Sequence, residues 1–284
     1  NAQHGPDGGV ARRIGQPLQR RIVGIDRPQP LPLLAEGAAT VIVEEESAAR
    51  ERGARGDAFR PIVASGPNTM ILHYSANNRQ MLDGEVVYMD YGADYEYYTS
   101  DITRTWPVSG RFTPEQEKMY RCILEARDTI IAAMKPGVTI TQLQDRAEAV
   151  YKKHGFGKEF LALRRYIGHT IGISVHDVDP PDRNRPLVAG VVFNVEPLLE
   201  IPDKKIHMRL EDTVLITPTG ALNMTASAPA GLEEVLHEVL VAGGAHVADH
   251  RHAAAFFVHD LVDALAAPGS SPSRQRQDSA ATAP

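Results

Sequence analysis

Two stretches decide the fold. The first is Glu85-Val-Val-Tyr-Met-Asp90, followed by a β-rich run from Tyr95 to Trp106 that carries Asp101. The second is Val191-Val-Phe-Asn-Val-Glu196, followed by a run from Ile206 to Thr217 that carries Glu211. Each reads as two strands joined by a hairpin. Asp90 and Asp101 are 11 residues apart, so a hairpin centred on Tyr95-Glu96 sets them opposite one another. Glu196 and Glu211 are 15 apart, and the turn signal Pro202-Asp203-Lys204-Lys205 opposes them as well. Opposed residues share a face, with Cβ atoms roughly 4.5–5.5 Å apart. Carboxylates at that spacing repel unless a proton or a cation lies between them. Two register-matched acidic pairs are therefore expected to converge on one or two metal ions. Tyr-Glu is a poor tight-turn pair, so the first loop is expected to be longer or bulged.

A histidine completes the set. Gly168-His169-Thr-Ile-Gly-Ile-Ser-Val-His176-Asp177 reads as a strand-like run with flanking glycines. An isolated histidine is more often a satisfied buried side chain, but beside four inward carboxylates His169 is expected as a fifth ligand. Four oxygen donors and one imidazole favour a hard-to-borderline cation, Mn²⁺ above softer choices. Cys122 is the only cysteine, which excludes a thiolate site and an intrachain disulfide framework. Cys122 is read as an inert core thiol.

Two helices lie between the hairpins. Thr113-Pro114-Glu115-Gln116 is a helix start, with Thr113 as cap, Pro114 at the first helical position and Gln116 closing a capping box. Met119, Ile123, Ala126, Ile130 and Met134 form one apolar face, and Pro136-Gly137 stops the helix. Thr141 and Gln144 repeat the signature, Leu143, Ala147 and Val150 form the second face, and Gly155 ends it.

Composition bounds the rest. With 284 residues, 43% hydrophobic and 23% charged, the chain can bury a sizeable core. No apolar run reaches the roughly 18–20 residues of a spanning helix, so no membrane association is expected. A net charge of -6 argues against nucleic-acid binding by bulk electrostatics.

The motifs resemble those of a known family. Asp90-Tyr-Gly-Ala93, with Tyr98-Thr-Ser-Asp101-Ile-Thr-Arg-Thr105, resembles the first metal motif of the pita-bread (creatinase/aminopeptidase-like) metallopeptidases. The run around His169 and His176, Val195-Glu196-Pro197 and Arg209-Leu-Glu211-Asp212 resemble those of its proline-specific branch, the Xaa-Pro aminopeptidases and prolidases. The resemblance covers roughly residues 40–235. It implies an α+β pita-bread fold, a curved antiparallel sheet with helices on its outer face.

The resemblance also implies roles. Asp90 would bind one metal with both oxygens, Asp101 and Glu211 would bridge two metals, and His169 and Glu196 would complete the second. Glu196 would also shuttle the proton. His73 matches an outer histidine near the substrate, His176 the histidine at the scissile carbonyl, and Arg209 the arginine that orients a bridging carboxylate. The implied function is a dinuclear-metal exopeptidase cleaving the bond before proline in small peptides, with Mn²⁺ first and Co²⁺ or Zn²⁺ next. The alternatives are a methionine aminopeptidase or creatinase-like hydrolase, or a non-catalytic binding protein of the same fold.

This chain departs from the pattern twice. Arg165 stands four residues before His169, where the branch often has a further histidine, and is expected to alter the field near the substrate pocket. Residues 1–39 are rich in Arg, Pro and Gly, show no signal-peptide pattern and do not match the family's N-terminal domain, which is expected to be missing. The chain opens on Asn1, so a processed or truncated product is expected, and residues 44–55 read as a remnant of the first catalytic helix. The catalytic domain is placed at 40–235. An extension follows at 236–284, disordered from about 268, and His246, His250, His252 and His259 in it are read as solvated rather than metal-binding. Glu200 and Asp212 are read as decoys, Asp212 as a surface or supporting group facing away from Glu211. A cytoplasmic homodimer is expected.

Overall fold

The computed structural model describes residue 50, residues 53–178 and residues 182–236. The expectations for residues 1–39, for the segment beyond 236 with its four histidines, and for most of the helix at 44–55 lie outside the described residues.

The helices follow their caps. Helix α1 (Pro114–Ala133) begins with the expected box: the Gln116 N–H donates to Thr113 Oγ1, and the Thr113 N–H donates to Gln116 Oε1. Helix α2 (Ile140–His154) starts two residues earlier than the sequence reading placed it, with Thr139 and Gln142 forming the box instead of Thr141 and Gln144. The earlier start adds Ile140 to the buried face, and it frees Gln144 Nε2 to donate to the Arg165 carbonyl across 2.7 Å. Gly155 caps α2 in the left-handed conformation, and a short helix α3 (Gly157–Ala162) follows.

The strands are all paired antiparallel. β2 (Ile62–Ser65), β3 (Val86–Tyr91) and β6 (Ile102–Pro107) form one sheet in the order β2-β3-β6. β7 (Gly168–Thr170), β8 (Val192–Val195), β11 (Asp212–Ile216) and β12 (Ala221–Asn223) form another, in the order β12-β11-β8-β7. The hairpin β9 (Leu198–Ile201) and β10 (Ile206–Arg209) continues the second sheet's ladder, and β1 (Gly56–Asp57), β4 (Ala93–Tyr95) and β5 (Tyr98–Thr99) form a small third sheet. Thr103 and Glu211 exchange backbone hydrogen bonds at 3.4 and 3.1 Å and tie the first sheet to the second.

Period-two alternation then sorts the side chains. Phe193, Val195, Leu199, Met208, Leu210 and Val214 join Met119, Ile123, Ile130, Leu143 and Tyr151 of the helices in one core. The other face of the same strands carries Asn194, Glu196, His207, Arg209, Glu211 and Thr213. The fold is thus α+β, as expected. No helix among the described residues is long and apolar enough to cross a membrane.

The two hairpins fare differently. The second has the expected register: Ile201 pairs with Ile206, Leu198 with Arg209 and Val195 with Asp212, which leaves Glu196 opposite Glu211. Pro197 has no N–H to give, so the ladder breaks there, and the two long runs become β8 with β9 and β10 with β11. The first hairpin turns at Glu96-Tyr97, one residue later than expected, with φ of 48° and 74°. Asp90 therefore pairs with Thr103 rather than Asp101. Asp101 lies two residues from Thr103 and so keeps the same face, which preserves the convergence although the direct pairing was wrong. The expected longer or bulged loop is not found: the register runs unbroken from Val86–Pro107 to Tyr95–Tyr98, and the left-handed backbone of Glu96 and Tyr97 makes a two-residue turn. Gly92 lets the paired strands approach closely, since a Cβ there would come within 1.8 Å of the Ser100 carbonyl oxygen.

Candidate metal centre

Five acids and bases arrive from five short elements. Asp90 comes from β3, Asp101 from the residue before β6, His169 from β7, Glu196 from the residue after β8, and Glu211 from the residue before β11. The strand predicted over Gly168-Asp177 is real only at Gly168–Thr170, and the rest bends away. Gly168 is required there: with φ of 130°, a Cβ would meet the Asn194 carbonyl oxygen at 1.8 Å.

All five residues are buried, none more than 5% exposed. Donor atoms of Asp101, His169 and Glu211 lie within 4.8 Å of one another. His169 Nε2 stands 3.6 Å from Asp101, 3.7 Å from Glu211 and 4.0 Å from Glu196. Asp90 Oδ1, Asp101 Oδ1 and His169 Nε2 are buried with no hydrogen-bond partner. Buried polar atoms are rarely left without one. The compact group of Asp101, His169 and Glu211, with Asp90 among the buried unpartnered acids, is a donor set that fits divalent cations of the oxygen-preferring kind.

The remaining oxygens are held by the protein. Glu211 accepts from Thr103 Oγ1 at 2.5 Å and from Asn194 Nδ2 at 2.6 Å. Arg209 pairs with Asp90, donates to Glu196 Oε1 at 3.2 Å and to Thr103 Oγ1 at 3.1 Å, and sits 4.8 Å over the Tyr88 ring. It thus orients several carboxylates rather than the single one the sequence implied. Thr213 Oγ1 donates to the Asp101 carbonyl at 2.8 Å.

Charge crowding is visible in the proton affinities of the metal-free site. Burial pushes Asp101 up to about 6. Burial and the Glu211 charge push Glu196 up to about 8. Burial, with Glu211 and Asp101 nearby, holds Asp90 well above the usual carboxylate range despite Arg209. Burial opposes a charge on His169, but Asp101 and Glu211 override it and raise the imidazole to about 11. Glu211 goes the other way: burial would raise it, but its hydrogen bond with His169 and the Arg209 charge hold it below its ordinary value. The site without cations is a set of negative groups sharing too few protons.

A cavity of about 590 Å³ opens above these groups. Its floor includes Asp90, Asp101, Glu196, Arg209 and Glu211; Phe59, Ile62, Leu72, Leu163, Val175 and Leu198 give it apolar walls, and His73 and His176 also line it. The His176 ring lies 4.5 Å from that of His169, edge on, and 5.8 Å from that of His73.

Three readings change. Arg165 does not line this cavity: with a left-handed φ of 59°, its guanidinium pairs with Asp145 and with Glu148 at 2.8 Å. Asp212 does face away from Glu211, but it is fully buried rather than at the surface, paired with Arg104 at 2.8 Å and Arg127 at 3.3 Å. Glu200 lines the cavity and bonds the buried His207 Nδ1 at 2.9 Å. The residue missed altogether is Tyr166, whose hydroxyl donates to Glu196 Oε2 at 2.5 Å. Its only sequence signal is its place three residues before His169. Cys122 is buried as expected, and burial raises its thiol to about 12.

Comparison with known proteins adds the following. A family model described as metallopeptidase family M24 matches residues 33–218. The chain is 37% identical over 216 residues to the mitochondrial intermediate cleaving peptidase 55 of Arabidopsis thaliana, covering 70% of this chain and 43% of that protein. It is 36% identical over 208 residues to the Xaa-Pro aminopeptidase of Escherichia coli (strain K12), covering 64% of this chain and 47% of that one. The chain thus spans less than half the length of either relative. Among solved structures it is similar to the low-pH form of aminopeptidase P from E. coli, with a TM-score of 0.65 at 31% identity, over 76% of this chain and 57% of that one.

Proposed function

The chain belongs to metallopeptidase family M24, and from that premise we propose that it hydrolyses the bond preceding proline in short peptides. Asp90, Asp101, His169, Glu196 and Glu211 would hold two divalent ions, Mn²⁺ first by the donor set, with Co²⁺ or Zn²⁺ as alternatives. The observation that carries this reading is the trio of buried donor atoms without partners, Asp90 Oδ1, Asp101 Oδ1 and His169 Nε2, two of whose residues, Asp90 and Asp101, line the cavity. Divalent ions bound there would supply Lewis acidity, polarising a carbonyl and making water a stronger acid.

The protein's own groups do the rest. Glu196 accepts a proton from the attacking water at a carboxylate oxygen and passes it to the leaving nitrogen. Arg209 fixes the orientation of Glu196 and Asp90 during that transfer. His176 donates to the carbonyl oxygen as negative charge develops on it. His73, against His176, bounds the same end of the cavity. The apolar walls suit an imino-acid ring better than a charged side chain, which supports proline after the scissile bond.

The test is a peptide panel with the full chain, with and without Mn²⁺: Xaa-Pro dipeptides, Xaa-Pro-Xaa tripeptides and alanine-for-proline controls. Metal-dependent release of the first residue from the proline peptides is the expected result. Equal cleavage of the alanine controls, or bound metal without hydrolysis of any proline peptide, overturns the proposal.

A further inference from the structure

Glu196 is gripped from two sides. Arg209 Nη1 holds Oε1 at 3.2 Å, and the Tyr166 hydroxyl holds Oε2 at 2.5 Å. The Arg209 contact comes from the same sheet. The Tyr166 contact comes from the turn between α3 and β7, and that turn has an unusual shape. Arg164 and Arg165 both adopt the left-handed conformation, with φ of 56° and 59°. Two adjacent non-glycine residues hold that conformation only where the surroundings over-determine it. Here they do. The Arg165 N–H donates to the Phe160 carbonyl, the Arg165 carbonyl accepts from Gln144 Nε2 at 2.7 Å, and the guanidinium pairs with Asp145 and Glu148. With Arg165 latched outward on α2, the next side chain points into the cavity. The backbone then returns to the second sheet, where the Glu196 N–H donates to the Ile167 carbonyl at 2.8 Å. Glu196 is thereby held by a side-chain bond from Tyr166 and by a backbone bond to the next residue, Ile167.

We propose that Tyr166 is a positioning residue for Glu196: its hydroxyl fixes the direction of Oε2, so that the carboxylate meets metal and proton in a single orientation. The inference rests on the proposed role of Glu196. Tyr166 need not touch the peptide; it acts through Glu196. A phenol donor of this kind sets the angle of a carboxylate that ligates a metal, and loss of such a support costs on the order of 10–100-fold in metal affinity or rate.

The test uses Tyr166→Phe in the full chain, a change of one oxygen that keeps the ring. Mn²⁺ binding is measured by calorimetry on the metal-free protein, and steady-state kinetics are run on an Xaa-Pro-Xaa tripeptide in parent, Tyr166→Phe, Glu196→Gln and the double variant. The expected result is weaker Mn²⁺ binding by about 10-fold or more and a kcat loss of about 10–100-fold, with KM within about twofold. In the Glu196→Gln background the further loss should shrink to a fewfold, because the group through which Tyr166 acts has changed. Unchanged Mn²⁺ affinity and kcat in Tyr166→Phe would overturn the proposal, as would an equal loss in both backgrounds. Loss of the cooperative melt in Tyr166→Phe would make the hydroxyl a structural group and overturn it too. If the parent cleaves no proline peptide, the reading of function fails, while the Mn²⁺ isotherms still decide whether Tyr166 supports Glu196.

Discussion

Thr103 and Glu211 meet twice: their backbones exchange hydrogen bonds, and Thr103 Oγ1 donates to Glu211 Oε2 at 2.5 Å. One threonine thus ties the two sheets together and orients a carboxylate of the candidate metal centre. Thr103 Oγ1 also accepts from Arg209 Nε at 3.1 Å, so it links the cation to the anion. Thr103→Val keeps the shape and the backbone bonds but removes the hydroxyl. A hydrogen bond to a charged group is worth roughly 1.5–3 kcal/mol. Chemical denaturation of the metal-free variant should show a loss in that range, and an unchanged midpoint would refute the relay.

Metal removal should loosen the whole molecule. Anything that binds the native state and not the unfolded chain stabilises by mass action, roughly 2.7 kcal/mol at a hundredfold excess over Kd. Chelation followed by dialysis should lower the Tm and abolish peptide hydrolysis, and Mn²⁺ should restore both. Full activity after exhaustive chelation would remove the basis for a metal centre.

The metal-free protein should also lose stability as pH rises from about 6.5 to 8.5. Glu196, raised to about 8, and His169, raised to about 11, hold extra protons in the folded state. A group with a raised folded pKa contributes stability below its unfolded pKa and loses it as pH climbs through the folded one. Asp90 has the same sign. Glu211, held low, contributes only near its ordinary value of 4.5, below this window. His207, lowered by burial, gains stability with pH only up to about its ordinary value of 6.5. The check is the Tm of chelated protein at pH 6.5 and 8.5. A higher Tm at pH 8.5 would contradict the assignment.

Three substitutions separate ligand, base and oxyanion donor. Asp101→Asn should lower metal content together with rate. Glu196→Gln keeps an oxygen but cannot carry a proton, so it should retain part of the metal while losing on the order of 10²-fold or more in rate. His176→Ala should keep the metal and KM and reduce kcat. The readouts are atomic emission and steady-state kinetics. Metal loss in His176→Ala with an unaffected rate in Glu196→Gln would reverse the roles.

Away from the site, Asp212 is buried between Arg104 and Arg127 and accepts from Thr225. Asp212→Ala leaves two guanidinium groups without it, and breaking a buried pair costs roughly 3–5 kcal/mol. Denaturant unfolding should show a loss of that size. A loss below about 1 kcal/mol would mean that the pairing contributes little.

The sequence by itself determined the parts that local chemistry controls. The α1 capping box, the Gly155 stop, the hairpin that opposes Glu196 to Glu211 and the face shared by Asp90 and Asp101 follow from side-chain hydrogen bonds, backbone freedom and the two-residue period of a strand. Those rules act over a few residues and leave a mark in the string. Only the tertiary structure decided the rest. It set the first turn at Glu96-Tyr97, chose Thr139 over Thr141 as a cap because Ile140 could be buried, and turned Arg165 outward to α2 so that Tyr166 reached Glu196. These outcomes depend on partners that are distant in sequence, and no local pattern records which of two equally spaced residues will find its partner.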